Sequence, residues 1–370
     1  MEIYDTLLSS YSQSGQLMEA HCDLLYPCDL DCEHCYLDDK VRPQRSTAFW
    51  KDVFDQLAAR QVLFLHLSGG EIFLRKDLFE LVAHARSLGL MVCLKTHGGH
   101  LTPANARRLA ELGVSIVFVS YYSHRPEVHD AITREPGSQE RTLAGMRYLV
   151  DAGVRVKVNL IVMERNVDDV SEVLRQCREF GFGIGISTEI RSAQSGATTP
   201  IDVALSVEER AHFHQLQELT TSACNVDGVS NDWGSRHVCG AGNTSVYIDP
   251  EGRVMPCSFW PVPMGTLEDE HSLNSVLEGS ALFEQIRTQK NADRHGCQTC
   301  AGKENCHFCP GQSWQETRDP MAPAAAICAD TYSKVLAKAR AAGEPDPPKP
   351  PGLRSSPFRV LSAAQQRCSG

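Results

Sequence analysis

No stretch of this 370-residue chain is apolar over the length a membrane helix needs, and Met1-Glu2-Ile3-Tyr4-Asp5 lacks the basic-then-apolar pattern of a secretory signal. Neither insertion nor export is therefore expected. Positive charge is in deficit as well: 36 Lys and Arg stand against 46 Asp and Glu, a formal net charge of −10. That balance argues against a nucleic-acid binder working through a broad basic surface. What the chain has in quantity is cysteine, 15 residues of it, clustered rather than spread. A chain of this length does not depend on disulfide staples, and without an export signal the expected compartment is the reducing cytoplasm, where dense cysteine points to metal.

From residue 19 to about 190, short apolar runs alternate with longer amphipathic stretches, the pattern of repeated β-α units around a parallel sheet. Strands are predicted at Ala20 to Leu25, Val62 to Leu67, Met91 to Leu94, Ser115 to Val119, Val156 to Val162 and Gly183 to Ser187. Helices are predicted near Thr47 to Ala59, Leu78 to Leu88, Pro103 to Leu112, Gln139 to Asp151 and Val167 to Phe180. Gly89, Gly113, Gly153 and Gly181 each stand between a helical stretch and the next strand, where a left-handed residue ends a helix. The fold class is α/β, and six such units suggest an incomplete, open barrel. Functional groups in such architectures gather at the carboxyl ends of the strands.

A cofactor motif stands where that rule asks for one. Tyr26-Pro27-Cys28-Asp29-Leu30-Asp31-Cys32-Glu33-His34-Cys35-Tyr36 follows the first strand and offers three thiolates, Cys28, Cys32 and Cys35. A [4Fe-4S] cluster ordinarily takes four cysteines, so this C-x3-C-x2-C loop would leave one iron open. Zinc fits less well, because its structural sites are closed by four ligands. The spacing resembles the radical S-adenosylmethionine (SAM) superfamily. That resemblance implies a partial (β/α)6 TIM-like barrel, a SAM molecule chelating the open iron, and its reductive cleavage to a 5′-deoxyadenosyl radical that takes a substrate hydrogen.

Further residues match the family's SAM site. Ser68-Gly69-Gly70-Glu71 follows the second strand and resembles the Gly-Gly-Glu element, with Gly69, Gly70 and Glu71 implied at the methionyl end of SAM. Thr96-His97-Gly98-Gly99 stands where many relatives have Thr-Asn-Gly, so Thr96 is carried over and His97 is a departure. Ser120 matches a serine that contacts SAM, His34 occupies the position flanking adenine, and Asn159 and Arg191 stand at the levels of ribose and carboxylate contacts. No residue is singled out as a catalytic base.

Beyond the core, Ser206-Val207-Glu208-Glu209 has capping-box form and should start a bridging helix toward Cys224. Seven cysteines follow: Cys239, Cys257, Cys297, Cys300, Cys306, Cys309 and Cys328. Their spacing resembles the SPASM extension of radical SAM enzymes, with one departure, since two residues rather than three separate Cys306 from Cys309. The two resemblances cover roughly residues 19 to 335. They imply two auxiliary [4Fe-4S] clusters, one held by Cys297, Cys300, Cys306 and Cys328, the other by Cys239, Cys257 and Cys309 with Cys224 as a candidate fourth ligand. Zinc ribbons are the competing reading of the paired cysteines. Cys22, Cys93 and Cys177 read as core residues. The segment from Cys239 to Cys328 has too little periodicity for a large core of its own and should need metal to fold.

The expected organisation is an N-terminal segment 1–18, the radical SAM core 19–200, a bridging region 201–230, a SPASM domain 231–340 and a tail 341–370. The tail carries Pro345-Asp346-Pro347-Pro348-Lys349-Pro350-Pro351 and reads as semi-rigid or disordered.

A SPASM extension usually accompanies action on a peptide or protein side chain, so the resemblance implies maturation of a ribosomally made peptide, such as an oxidative crosslink. Haem or cofactor-pathway chemistry is the alternative. Sulfatase maturation ranks lower, because Ser258 stands where those relatives have an Asp base. Fewer than 30 residues precede Cys28, too few for a leader-binding winged helix. The expected partners are a peptide substrate, a separate leader-recognition protein and a reductant such as flavodoxin or ferredoxin. Neither nucleic acid nor membrane is expected. Tyr121, Tyr122, His124 and Trp260 are candidate substrate-facing groups, with packing as the competing role.

Overall fold

The computed structural model describes residues 2–41, 43–216, 233–268 and 272–354. Cys224 and Cys368, and the Cys224-completed cluster, lie outside the described residues. Among the described residues nine strands form one sheet: β1 (Glu19–Leu25), β2 (Phe64–Gly69), β3 (Met91–Thr96), β4 (Ile116–Ser120), β5 (Val156–Ile161), β6 (Gly183–Ser187), β7 (Ser245–Ile248), β8 (Arg253–Met255) and β9 (Gly265–Thr266). Their order is β6-β5-β4-β3-β2-β1-β7-β8-β9. β1 to β6 run parallel, each beside its sequence neighbour, as six β-α units predict. β6 and β9 are the two ends, so the sheet stays open.

The sheet is concave. Lys95 of β3 reaches over β2 to His21 of β1, Nζ to Nδ1 3.5 Å, although two strand spacings of about 4.8 Å separate their backbones. Alternation then assigns the faces. Ala20, Cys22 and Leu24 of β1, Leu65 and Leu67 of β2, and Val156, Val158 and Leu160 of β5 are buried under the helices. Asp23, Ser120 and Asn159 take the opposite phase and face the concavity.

Those helices form where the amphipathic pattern places them. Thr47–Ala59 starts on Ser46, whose hydroxyl accepts from the Phe49 N–H, and buries Trp50, Val53, Phe54 and Leu57. Leu78–Ser87, Pro103–Glu111, Ser138–Asp151 and Val170–Phe180 repeat the arrangement, the last preceded by a 3-10 turn at Val167–Asp169. The four punctuating glycines all have positive φ. Several helices carried no expectation: Glu2–Ser14 and Pro126–Thr133 in the first half, and Leu273–Glu278, Ala281–Thr288, Pro310–Thr317, Ala325–Ala341 and Pro351–Arg354 in the second.

The Ser206 capping box is formed in both directions. Glu209 N–H donates to Ser206 Oγ at 3.2 Å and Ser206 N–H donates to the Glu209 carboxylate at 2.8 Å. Downstream, the cysteine-rich part does not stand apart. β7 adds to β1 in parallel, Glu19 opposite Ser245 through Cys22 opposite Ile248. Val246, Ile248, Leu273, Leu277 and Phe283 join the same core as the barrel. The proline-rich stretch is also docked over its described part: Tyr332 Oη donates to Pro347 O at 3.1 Å, Arg340 pairs with Asp346 at 3.0 Å, and Leu353 packs beside Leu336.

Candidate active site

At the carboxyl ends of the parallel strands the chain gathers three thiols. Cys28, Cys32 and Cys35 are all free and partly buried in the loop leaving β1, with Cys35 N–H closing onto Cys32 O at 3.0 Å. Burial pushes the Cys28 thiol up to about 11 and raises Cys32 and Cys35, and for Cys32 the other two sulfurs add to the effect. Three mutually repelling, poorly solvated thiolates need a positive centre among them. The donor set therefore fits an iron-sulfur cluster bound through three ligands.

The Gly-Gly-Glu turn is locked against that loop by the backbone. Gly70 N–H donates to Leu25 O at 2.8 Å and Glu71 N–H to Pro27 O at 2.9 Å. A Cβ on Gly69 would collide with Leu25 O, and one on Gly70 with the carbonyl oxygens of Tyr26 and Pro27. Glu71 is fully buried, and its carboxylate accepts from Thr96 Oγ1, His97 N–H at 3.0 Å and Phe73 N–H at 3.0 Å. This explains the Glu: it braces the turns after β2 and β3.

His97, the departure from the family pattern, stands in the same network. Its Nε2 lies 3.0 Å from Asp29 Oδ1 and 3.1 Å from Glu71 Oε2. Burial opposes its imidazolium, yet the two carboxylates outweigh that and raise its pKa. The imidazole thereby links the cysteine loop to the Gly-Gly-Glu turn.

Ser120 and Asn159 are register partners on β4 and β5. His34 meets Tyr122 edge to face at 4.8 Å, and burial lowers its pKa to about 4, so it is a neutral flat ring at neutral pH. Arg191 is placed differently from the SAM-carboxylate expectation: Nη1 donates to Cys309 Sγ at 2.6 Å, the guanidinium also pairs with Glu189, and it lies over the Phe259 ring at 4.4 Å. Tyr121, Tyr122 and Trp260 are buried. Cys22, Cys93 and Cys177 are buried too, as expected of core residues.

The seven later cysteines fall into two groups. Burial, with repulsion from Cys309 and Cys239 added, pushes the Cys257 thiol up to about 12. Cys297, Cys300, Cys306 and Cys328 line one cavity together with Phe308 and Ile327. These are the two sets that the SPASM resemblance implies as ligands. Sequence reasoning missed Arg294, a fully buried arginine at the wall of that cavity. The only local signal was its position three residues before Cys297.

Comparisons with known proteins agree with this geometry. The Radical SAM superfamily profile matches residues 26–177, and the SPASM iron-sulfur cluster-binding domain profile matches residues 239–307. The chain belongs to the radical SAM superfamily and is a radical SAM enzyme with a SPASM domain. A PqqA peptide cyclase from Rhizobium meliloti is 30% identical over 281 residues, covering 72% of this chain and 74% of the relative. An AdoMet-dependent heme synthase from Methanosarcina barkeri is 24% identical over 326 residues, covering 80% and 92%. Among solved structures, Streptococcus suis SuiB bound to S-adenosylmethionine superposes with a TM-score of 0.68 at 16% identity, covering 83% of this chain and 76% of SuiB. The cofactors are SAM, a [4Fe-4S] cluster and auxiliary iron-sulfur clusters. No helix among the described residues is long and apolar enough to cross a membrane.

Proposed function

We propose that this enzyme modifies a ribosomally made peptide by hydrogen abstraction from a residue held in the mouth of the open barrel. The observation that carries the reading is the likeness to a peptide cyclase over 72% of the chain, combined with a second metal region built onto the same sheet as the SAM site. When bound, SAM and its cluster supply a carbon-centred radical. The chain's own contribution is placement. Cys28, Cys32 and Cys35 hold the cluster, Gly69 and Gly70 let the backbone come close to SAM, and Glu71 fixes that turn. Thr96, Ser120 and Asn159 line the ends of the following strands, and His34 offers a flat neutral ring. Cys239, Cys257 and Cys309, and separately Cys297, Cys300, Cys306 and Cys328, would hold the auxiliary clusters that accept an electron once a new bond has formed.

We further propose the rest of the setting: a cytoplasmic enzyme, a flavodoxin or ferredoxin as reductant, and a separate leader-recognition protein. Haem-pathway chemistry is the second reading, favoured by the likeness to the heme synthase.

The test is anaerobic. Reconstituted protein is given SAM, dithionite and a short peptide encoded beside its gene. Production of 5′-deoxyadenosine together with a mass change in the peptide is the expected result, absent when Cys28, Cys32 and Cys35 are all changed to alanine. An unmodified peptide alongside turnover of a tetrapyrrole precursor would replace this reading with the second one.

A further inference from the structure

The cavity lined by Cys297, Cys300, Cys306 and Cys328 has a cation built into its wall. Arg294 is 1% exposed. Its guanidinium is clamped between two aromatic faces, 4.7 Å from the Trp233 ring centre and 4.6 Å from that of Phe308. Among the described residues its side-chain partners are Asn291, whose Oδ1 accepts from Nη1 at 3.3 Å, and the sulfur of Cys297. The buried Nε has no hydrogen-bond partner. No carboxylate among the described residues forms an ion pair with it.

A buried guanidinium without a counter-ion is costly and is retained only where something compensates its charge. Here the compensating charge lies in the cavity itself. Four thiolates around a [4Fe-4S] core carry net negative charge, and one more on reduction. In so poorly solvated a place the interaction with Arg294 is weakly screened. A fixed positive charge favours the more negative, reduced form.

We propose that Arg294 is the positioning counter-charge of this auxiliary site: it holds the four thiolates together and raises the reduction potential of their cluster, making that cluster the better electron acceptor. The one-electron step is a gain of one electron by the cluster with no proton transferred, the electron coming from substrate oxidation or from dithionite. The inference rests on the assignment of these four cysteines to one auxiliary cluster, which is tested separately. Changing Cys297 and Cys300 together to alanine should remove about one cluster's worth of iron, and retention of all iron would sink the assignment itself.

The experiment uses the full-length, anaerobically reconstituted protein, with Arg294→Met and Arg294→Lys compared by iron content and by EPR-monitored redox titration. Arg294→Met should shift the one-electron equilibrium of one auxiliary cluster toward the oxidised form by about tenfold, or 59 mV, with Arg294→Lys restoring most of it. Should Arg294→Met fail to load that cluster, loading by Arg294→Lys supports the same role, because charge and not shape is then what matters. Full loading of Arg294→Met at the wild-type potential would overturn the proposal, as would equal loss of the cluster in both variants.

Discussion

Thr96 Oγ1 donates across both carboxylate oxygens of Glu71, at 2.7 and 2.8 Å, and so ties the end of β3 to the turn that follows β2. Glu71 has no contact with solvent; without the Thr96 hydroxyl each oxygen keeps one backbone donor, Phe73 N–H on Oε1 and His97 N–H on Oε2, so the loss is that of one hydrogen bond to a charged group, about 1.5–3 kcal/mol. Thr96→Val keeps the shape and removes the hydroxyl. SAM should bind about tenfold more weakly, as measured by equilibrium dialysis, while iron content stays at the wild-type level. Unchanged SAM affinity would separate this brace from the cofactor site.

Gly70 leads to a harsher prediction. Because a Cβ there would collide with two backbone carbonyls that cannot swing aside, Gly70→Ala must push the cysteine loop away from the Gly-Gly-Glu turn. At least a hundredfold loss of 5′-deoxyadenosine formation is expected. Gly89→Ala has open space around its Cβ and bears only the cost of its positive φ, about 1 kcal/mol. It should lower thermal stability and leave turnover intact.

Arg191 separates two roles in one variant. Its guanidinium donates to Cys309 and to Glu189 and stacks on Phe259. Arg191→Leu should leave SAM affinity within about twofold while iron at the Cys239, Cys257 and Cys309 group falls. A large loss of SAM affinity with full iron would instead restore the carboxylate-contact role that its place after β6 implies.

Acid should unfold this protein early. His66 lies on the concave face, stacked on His21 at 4.3 Å, and burial followed by repulsion from His21 and Lys95 lowers its pKa to about 3. Folded, it stays neutral until that value, whereas in the unfolded chain it takes a proton below about 6.5. Its contribution is therefore complete above pH 6.5 and falls steadily as pH drops toward 3, by about 2 kcal/mol at pH 5. His66→Gln should flatten the dependence of the thermal midpoint on pH between 7 and 5. An equally steep dependence in the variant would assign the acid lability to other groups, such as His34 and His129, each near 4.

The barrel was legible because its signals are local. Each helix and strand carries its own period, and a glycine marks four of the five returns, Gln61 taking the left-handed turn before β2, so the predicted strand edges differ from the observed ones by two residues or fewer. The cysteine loop and Gly-Gly-Glu were legible for the same reason, since each is a short motif at a strand end. The pairing of β1 with β7 was not. Ser245–Ile248 is only four residues long, and its partner lies more than two hundred positions earlier in the chain. Nor did the proline run disclose that it packs back: Pro350 and Pro351 line the four-cysteine cavity, and Cys328 accepts a backbone hydrogen bond from Gly352. Arg294 was silent in sequence because an arginine reads as surface until its two aromatic neighbours, over sixty positions back and fourteen ahead, close on it.

That β1–β7 pairing also bears on whether the two halves could ever have separate lives. A core ending before residue 245 would present β1, whose end carries the SAM-cluster cysteines, as a bare row of unsatisfied amides and carbonyls. Such an edge invites pairing with another chain. Excision of the cysteine-rich half should therefore yield aggregates in place of a smaller working barrel, and swapping that half between relatives would succeed only if the incoming β7 matches the register from Glu19 to Cys22.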